Sequence, residues 1–179
     1  LFCGSGTLLI EAASTALNLA PGLSRSFLFE GWADFDSNIW QQERERAKHP
    51  KLSERSLPAV IGCEADVQIA NQARTNVAAA GLERFIKIQN SHFRDLLLPR
   101  NPGVLVCNPP YGKRIGINQD LENLYEELGS FIKRNASGWQ FWMLSGDPQL
   151  SRSLRMKSNR KIQVSNGGID CRWLNYAIH

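Results

Sequence analysis

The chain has 179 residues, of which 42% are hydrophobic and 21% are charged, and its formal net charge is +4. This length supplies one compact domain with its own core and is too short for two full domains. No apolar run approaches the ~20 residues of a membrane span, and no signal peptide precedes the first motif, so we expect a soluble, cytoplasmic protein. Basic residues gather at 44–55, around Lys113 and Arg114, and at 152–161, which favours a polyanionic partner.

Helix and strand signals alternate along the chain. Helices are predicted at 7–19, 66–80 and 120–134, with a short one after Asp147-Pro148, and strands at 57–63, 85–89, 103–107, 140–144, 161–164 and 171–178. Asp66 is the predicted N-cap of its helix and Gly81 follows its end, while Asn166-Gly167-Gly168 predicts a hairpin turn. The pattern predicts an α/β fold with a mostly parallel sheet, helices on both faces and a C-terminal antiparallel hairpin strand. Ligands of such sheets bind at the carboxyl ends of the strands.

Residues 21–56 interrupt this alternation and are interpreted as an insertion within a single domain that spans 1–179. A polar helix is predicted at 37–48, ended by Pro50. Three aromatic residues of the insertion are predicted to form a local apolar cluster, with a lid over a bound base as the secondary interpretation: Trp32, Phe35 and Trp40.

The start of the chain also departs from the regular alternation of strands and helices. A glycine-rich loop begins three residues after Leu1, at a place where such a loop normally follows a strand. The chain is therefore predicted to be a fragment that lacks the first strand of its sheet.

The predicted core draws on one helix and on scattered aromatic residues. The helix at 120–134 has an apolar face made of Leu121, Leu124, Tyr125, Leu128 and Ile132, and the core also takes Phe131, Trp139 and Phe141. The four cysteines, Cys3, Cys63, Cys107 and Cys171, lie far apart and form no Cys-x-x-Cys pair. They are interpreted as small buried apolar residues in a reducing compartment, and no metal site is predicted.

The first candidate ligand site is the loop Cys3-Gly4-Ser5-Gly6-Thr7, which leads into the first helix. Its two glycines permit a tight turn and close approach to a ligand, and a helix N-terminus favours negative charge. The loop lacks the Gly-Lys-Ser/Thr of a P-loop and the third glycine of the dinucleotide fingerprint. A Gly-x-Gly turn without a ligand remains the alternative.

Glu64 follows the second predicted strand. A carboxylate at this position of a Rossmann-like sheet accepts the hydroxyls of a cofactor ribose. Its spacing from the glycine loop exceeds the usual ~20 residues, and the insertion at 21–56 accounts for the excess. A solvated loop acid is the alternative interpretation.

The most informative motif is Asn108-Pro109-Pro110-Tyr111, directly after the apolar strand at 103–107. Two prolines stiffen the turn and remove two backbone donors. The side-chain oxygen of Asn108 and the carbonyl of Pro109 then offer two acceptors for the two hydrogens of an exocyclic or amide –NH2 group. The ring of Tyr111 offers a face on which a planar base can stack.

With these motifs in this order, and with Gly31-Trp32 and Phe35-Asp36 in the insertion, the chain resembles class I methyltransferases with an Asn-Pro-Pro-Tyr motif. The resemblance is to the catalytic domain of bacterial large-subunit ribosomal RNA guanine-N2 methyltransferases. It implies a Rossmann-like fold, S-adenosylmethionine as cofactor, ribosomal RNA as partner, and an upstream RNA-binding THUMP domain in the parent chain, in some members with a second methyltransferase domain.

The resemblance also implies residue roles. The cofactor would be held by Cys3, Gly4, Gly6, Thr7, Glu64, Asn90, Ser91 and His92, and the target base by Asn108, Pro109, Pro110 and Tyr111. Lys113 and Arg114 would contact phosphates, with a solvated loop as the alternative. The rival functions are DNA adenine-N6 methylation, protein glutamine methylation and a catalytically silent RNA-binding domain.

Overall fold

The computed structural model describes residues 1–23, 25–48, 58–111 and 118–179. Its helices are α1 (Thr7–Ala16), α2 (Ser37–Ala47), α3 (Val67–Ala79), α4 (Asn118–Asn135) and α5 (Pro148–Ser153). Its strands are β1 (Val60–Glu64), β2 (Ile86–Asn90), β3 (Val104–Cys107), β4 (Gln140–Ser145), β5 (Arg160–Asn166) and β6 (Ile169–Ala177). Two short 3-10 helices that the sequence did not predict cover Leu28–Gly31 and Phe93–Asp95. No helix of the described residues is long and apolar enough to cross a membrane.

The strands form two sheets instead of one. β1 and β2 make a parallel pair, and the larger sheet has the order β3-β4-β6-β5, with β3 parallel to β4 and β6 antiparallel to both of its neighbours. The predicted antiparallel strand is therefore present, but it lies inside the sheet and β5 forms the edge. Burial explains the order, because β6 contributes apolar side chains to the core while most of β5 is exposed.

The first three residues lie between the two sheets. The amide of Cys3 donates to the carbonyl of Cys63 in β1 over 3.0 Å, and the terminal amine of Leu1 donates to the carbonyl of Val106 in β3 over 3.3 Å. We call this junction the seam. It sets the ends of β1 and β3 side by side with the glycine loop between them.

The ends of the helices follow local chemistry. The Asp66 carboxylate accepts hydrogen bonds from the amides of Gln68 and Ile69 at the start of α3, and Gly81 has a φ of 68° just past its end, as predicted. Helix α1 ends at Ala16, earlier than the predicted residue 19. The reason is Asn18, which takes a left-handed conformation with φ 55° and stops the helix.

Buried hydrophobic residues in the described ranges form two clusters. The larger one packs α4 and α5 against the sheet of β3, β4 and β6, and it contains the predicted Tyr125, Leu128, Phe131, Trp139 and Phe141. The smaller one joins α1, the end of α3 and β2 through Ala13, Leu17, Val77, Leu82 and Ile86. All four cysteines are free, three of them buried and Cys3 partly buried, in agreement with the sequence.

The described part of the insertion has an aromatic centre. Rings of Phe27, Phe29, Trp32, Phe35 and Trp40 meet at centroid distances between 5.0 and 6.3 Å. The predicted local cluster is confirmed, and α2 begins at the predicted residue. Pro50, the predicted end of that helix, lies outside the described residues.

Candidate functional site

The glycine loop is a tight left-handed turn into α1. Gly4 and Gly6 have φ values of 54° and 86°, a region that favours glycine, and the Gly6 amide donates to the Cys3 carbonyl over 2.9 Å. Helix α3 supports the loop, because the side-chain amide of Asn76 donates to the Ser5 carbonyl over 2.9 Å. The loop therefore has a fixed shape at the head of α1.

Close packing brings this loop against β1. A Cβ added to Gly62 would lie 2.3 Å from Leu9 Cδ1 and 3.1 Å from the Cβ of Cys3. A side chain at this point of β1 would have to displace the Leu9 methyl group and push against Cys3, so glycine suits the close packing of the loop and α1 here. Gly62 begins the Gly-Cys-Glu-Ala-Asp motif around Glu64, but the sequence assigned it no role in the site.

Glu64 is joined directly to the glycine loop. One carboxylate oxygen accepts the Gly4 amide over 3.1 Å, and the other accepts the Asp66 amide over 3.2 Å. A carboxylate oxygen can accept two hydrogen bonds, so each oxygen keeps capacity for one more donor. The two motifs, 60 residues apart in sequence, thus form one site.

The residues that follow β2 close the same site. The Asn90 side chain donates to the carbonyls of Glu64 and Ala65 over 2.9 and 3.0 Å, and the Ser91 amide donates to the Glu64 carbonyl over 3.0 Å. The Ser91 hydroxyl oxygen is buried without a hydrogen-bond partner among the residues that the structure describes. His92 accepts the Arg94 amide over 3.3 Å, as the cap of the short helix Phe93–Asp95.

The Asn-Pro-Pro-Tyr motif lies across the seam, directly after β3. Asn108 is exposed and Pro109 is fully buried. The Pro110 carbonyl accepts the Tyr125 hydroxyl of α4 over 3.2 Å. Within the described part of the chain, the Asn108 side chain and the Pro109 carbonyl make no hydrogen bond, so the acceptor capacity of both is unused.

Tyr111 is held by the hairpin of β5 and β6. Its hydroxyl accepts the Asn166 side-chain amide over 2.8 Å and lies 3.7 Å from Cys171 Sγ. Its ring covers Gly146, where a Cβ would lie 2.5 Å from the ring. Asn166, Cys171 and Gly146 are residues that sequence reasoning did not assign to the site. The turn signal at Asn166-Gly167-Gly168 predicted the hairpin but not the contact between Asn166 and Tyr111.

Thiol chemistry at this site is suppressed by burial. Burial, followed by the nearby Glu64 charge, raises the pKa of the Cys3 thiol to about 11, and burial raises the pKa of Cys107 to about 12. Both thiols are therefore protonated at neutral pH and are poor nucleophiles. No group of three metal-ligating side chains is found among the described residues.

Most of the predicted site residues meet at the strand ends. Cys3, Gly4, Gly6, Thr7, Glu64, Asn90, Ser91 and His92 lie at the loops that follow residues 1–3, β1 and β2, and Asn108 to Tyr111 follow the neighbouring β3. Lys113 and Arg114 lie outside the described residues. The arrangement sets the glycine loop and Glu64 on one side of the seam, and Asn108, Pro109 and the Tyr111 ring on the other.

Comparison with known proteins gives relatives over nearly the whole chain. Ribosomal RNA large subunit methyltransferase K/L of Marinomonas sp. is 39% identical over 181 residues, which cover 98% of this chain and 25% of that protein. The crystal structure of SMU.472 complexed with SAH has a TM-score of 0.90 at 29% identity and covers 99% of this chain and 46% of that one. A protein of Listeria monocytogenes described as a predicted N6-adenine-specific DNA methylase has a TM-score of 0.87 at 28% identity, covering 99% of this chain and 45% of that one.

These matches decide the fold class and the family. The chain spans between a quarter and a half of the length of these relatives. The likeness of the backbones confirms the predicted Rossmann-like fold. The family model described as the RMKL-like methyltransferase domain matches residues 2–175, and the chain therefore belongs to that family.

Proposed function

We propose that this chain transfers a methyl group from S-adenosylmethionine to the exocyclic N2 amine of a guanine in large-subunit ribosomal RNA. The observation that carries the proposal is the position of Asn108-Pro109-Pro110-Tyr111 at the end of β3, next to the loop and carboxylate of the other site. The names of the relatives, as large-subunit ribosomal RNA methyltransferases, support the choice of RNA.

The residues of the first site fit the cofactor. The left-handed glycines leave the backbone of the loop open to close approach, and each Glu64 oxygen keeps capacity for one ribose hydroxyl. The buried Ser91 hydroxyl has no partner in the described residues, which suits a polar ligand beside it. When bound, the cofactor supplies a methyl group activated by the positively charged sulfur that carries it.

The residues Asn108 to Tyr111 have to bind the target amine and orient it toward the methyl group. Asn108 Oδ1 and the Pro109 carbonyl have no hydrogen-bond partner in the described residues, and we assign them the two N–H groups of an exocyclic amine. Accepting both hydrogens directs the nitrogen lone pair out of the plane of the base. Tyr111 supplies a ring on which the base stacks after it leaves its own helix. The work of these residues is positioning, and no strong general base is needed if the proton leaves after attack.

A second candidate keeps the chemistry and changes the substrate. An adenine N6 amine and a glutamine amide carry the same two hydrogens, and one structural neighbour is described as a predicted N6-adenine-specific DNA methylase. We favour RNA guanine because of the names of the relatives and because of the insertion, which resembles that of guanine-N2 enzymes. A domain that binds RNA without catalysis is disfavoured by the two free acceptors beside the loop.

The proposed RNA substrate raises the question of which part of the parent protein supplies the RNA affinity. Several exposed basic residues of the described chain are engaged with acids, as Arg155 is with Glu126 and Arg94 is with Glu127. We therefore assign most of the RNA affinity to other domains of the parent protein, including the THUMP domain that the resemblance implies. Ribosomal RNA should bind the parent more tightly than it binds this domain.

The test uses the full-length parent protein with labelled S-adenosylmethionine and, separately, unmodified ribosomal RNA, DNA and protein. We expect N2-methylguanosine in the RNA after digestion and mass spectrometry. Methyladenine or methylglutamine would overturn the substrate, and the absence of transfer to all three would favour the silent domain.

Two variants separate the two halves of the proposed site. Asn108→Ala should lower methyl transfer at least ~100-fold while cofactor binding stays normal, because it removes only an acceptor of the target amine. Glu64→Ala should weaken cofactor binding instead, as measured by calorimetry. Near-normal transfer by Asn108→Ala would contradict the assignment of the acceptor site.

A further inference from the structure

The loop Asn108-Pro109-Pro110-Tyr111, which we call the acceptor loop, is held by two side chains from outside this motif. The hydroxyl of Tyr125, in α4, donates to the Pro110 carbonyl over 3.2 Å. The amide of Asn166, at the end of β5, donates to the Tyr111 hydroxyl over 2.8 Å. The two supports come from different elements and reach consecutive residues of the loop.

Tyr125 is suited to be a permanent donor. Its side chain is 1% exposed, and burial raises the pKa of its phenol well above the usual range, so it keeps its proton at any physiological pH. A carbonyl can only accept, so this hydrogen bond has one direction. The bond fixes the plane of the peptide group that follows Pro110.

Tyr111 is held at both ends of its side chain. Its ring lies against Gly146, which leaves no space for even one added carbon, and its hydroxyl is fixed by Asn166 with the Cys171 thiol at 3.7 Å. By the alternation of side chains, Asn166 and Cys171 share a face of the hairpin. The hairpin thus sets the angle at which the ring meets a base.

These contacts restrict the conformation of the acceptor loop. Both prolines have a fixed φ, the Pro109 ring is buried, the Pro110 carbonyl is bonded and the Tyr111 ring is seated. The two proposed acceptors, on Asn108 and Pro109, have no hydrogen-bond partner in the described residues. The supports therefore act on the orientation of those acceptors without touching what they bind.

We propose that Tyr125 and Asn166 are positioning residues for the target amine: Tyr125 orients the acceptor carbonyls through Pro110, and Asn166 orients the stacking ring through the Tyr111 hydroxyl. This inference rests on the proposed function. It assigns roles to two residues outside the Asn-Pro-Pro-Tyr motif and makes the C-terminal hairpin part of the acceptor site.

The role of Tyr125 is tested in the full-length protein with Tyr125→Phe, which keeps the ring and removes the hydroxyl. We expect kcat for methyl transfer to fall about tenfold, the equivalent of one hydrogen bond, while KM for RNA and the cofactor dissociation constant change less than about twofold. The matched control is Tyr176→Phe, a second buried tyrosine whose ring stacks on Phe141. It should leave kcat unchanged.

The role of Asn166 is tested by a double-mutant cycle with Tyr111. Asn166→Leu should lower kcat about tenfold in the wild-type background and have almost no effect in a Tyr111→Phe background, because the hydroxyl on which it acts is then absent. Ser165→Ala, an exposed neighbour in the same strand, serves as the hairpin control. Equal effects of Asn166→Leu in both backgrounds would overturn the role, since they would indicate a structural effect only.

Asn108→Ala is measured in the same experiment to separate the two proposals. If it abolishes transfer while Tyr125→Phe behaves like Tyr176→Phe and the cycle is additive, the positioning role is wrong and the proposed function stands. If Asn108→Ala transfers methyl groups normally, the acceptor site itself is wrong. Thermal unfolding and cofactor binding of each variant show that a lost rate does not come from lost folding.

Discussion

Gly146 controls the position of Tyr111 by having no side chain. A Cβ there would lie 2.5 Å from Cε2 and 2.6 Å from Cδ2 of the tyrosine ring, closer than real contacts allow. Its backbone conformation is open to any residue, since its φ is not among the positive ones. Substitution therefore displaces the ring without straining the chain.

We expect Gly146→Ala to lower methyl transfer at least ~tenfold with little change in thermal stability, because a half-buried ring can swing outward. The measurement is a single-turnover rate beside an unfolding curve. Gly31→Ala is the control, because a Cβ at Gly31 meets nothing within 4 Å. A wild-type rate for Gly146→Ala would show that methyl transfer does not depend on a fixed position of the Tyr111 ring.

Residues whose roles depend on their neighbours in sequence could be predicted, and residues whose roles depend on distant contacts could not. Asp66, Gly81 and the Gly167-Gly168 turn act through their own backbone neighbours, so their roles could be predicted from the sequence. The hydrogen bond between Asn166 and Tyr111 joins residues 55 apart. No local pattern encodes it, and only the folded hairpin brings the two together. The proposed roles of the cofactor residues remain predictions.

At the scale of elements, α4 and α5 meet at a glycine. A Cβ on Gly129 would lie 2.3 Å from the carbonyl oxygen and 2.9 Å from the Cα of Leu154. These are backbone atoms, which cannot step aside as the end of a flexible side chain can. The buried face of α4 therefore approaches the end of α5 as closely as backbone permits.

Two effects oppose each other in Gly129→Ala. Helix propensity alone would stabilise the protein by about 1 kcal/mol, whereas the forced separation of the two helices costs about 2 to 3 kcal/mol or more. We expect packing to win and the free energy of unfolding to fall, as measured by chemical denaturation. Ser130→Ala, on the exposed side of the same helix, should be nearly neutral. A stabilised Gly129→Ala would mean that the helices separate freely.

The elements themselves were largely predictable from the sequence, and their boundaries less so. The amphipathic face of α4 and the alternation of strands and helices gave the architecture. The short helix Phe93–Asp95 is too short to show periodicity, and the early end of α1 depends on the conformation of Asn18. The division into two sheets depends on pairing partners, which lie outside the reach of local pattern.

At the scale of the whole molecule, the pKa shifts resolved in the described residues all raise the pKa of a buried or partly buried cysteine or tyrosine. Burial raises the pKa of Cys3 to about 11 and the pKa values of Cys107 and Tyr176 to about 12. The folded state therefore keeps protons that the unfolded chain loses near its ordinary pKa values of 9.0 and 10.0. Stability is fully present below about pH 9 and falls as the pH rises toward the folded values.

We expect the free energy of unfolding to be nearly constant from pH 7 to 8 and to decline above pH 9, in denaturant titrations under reducing conditions. Cys107→Ala should be less stable at neutral pH because of the cavity, but its decline with pH should be shallower. A pH-independent stability up to pH 11 would contradict the burial of these groups.

The seam at residues 1–3 has an evolutionary consequence. The glycine loop and Glu64 follow residues 1–3 and β1 on one side, and Asn108 and Tyr111 follow β3 on the other, while one hydrophobic cluster contains Leu1 and Cys63 from the first side and Cys107 from the second. Substitutions in this shared core therefore act on both sides of the seam at once, whereas substitutions of exposed residues after β3 act on one side alone. Under the proposed function, we expect relatives that differ in the molecule they modify to differ first at exposed residues after β3, with the shared core and the glycine loop retained.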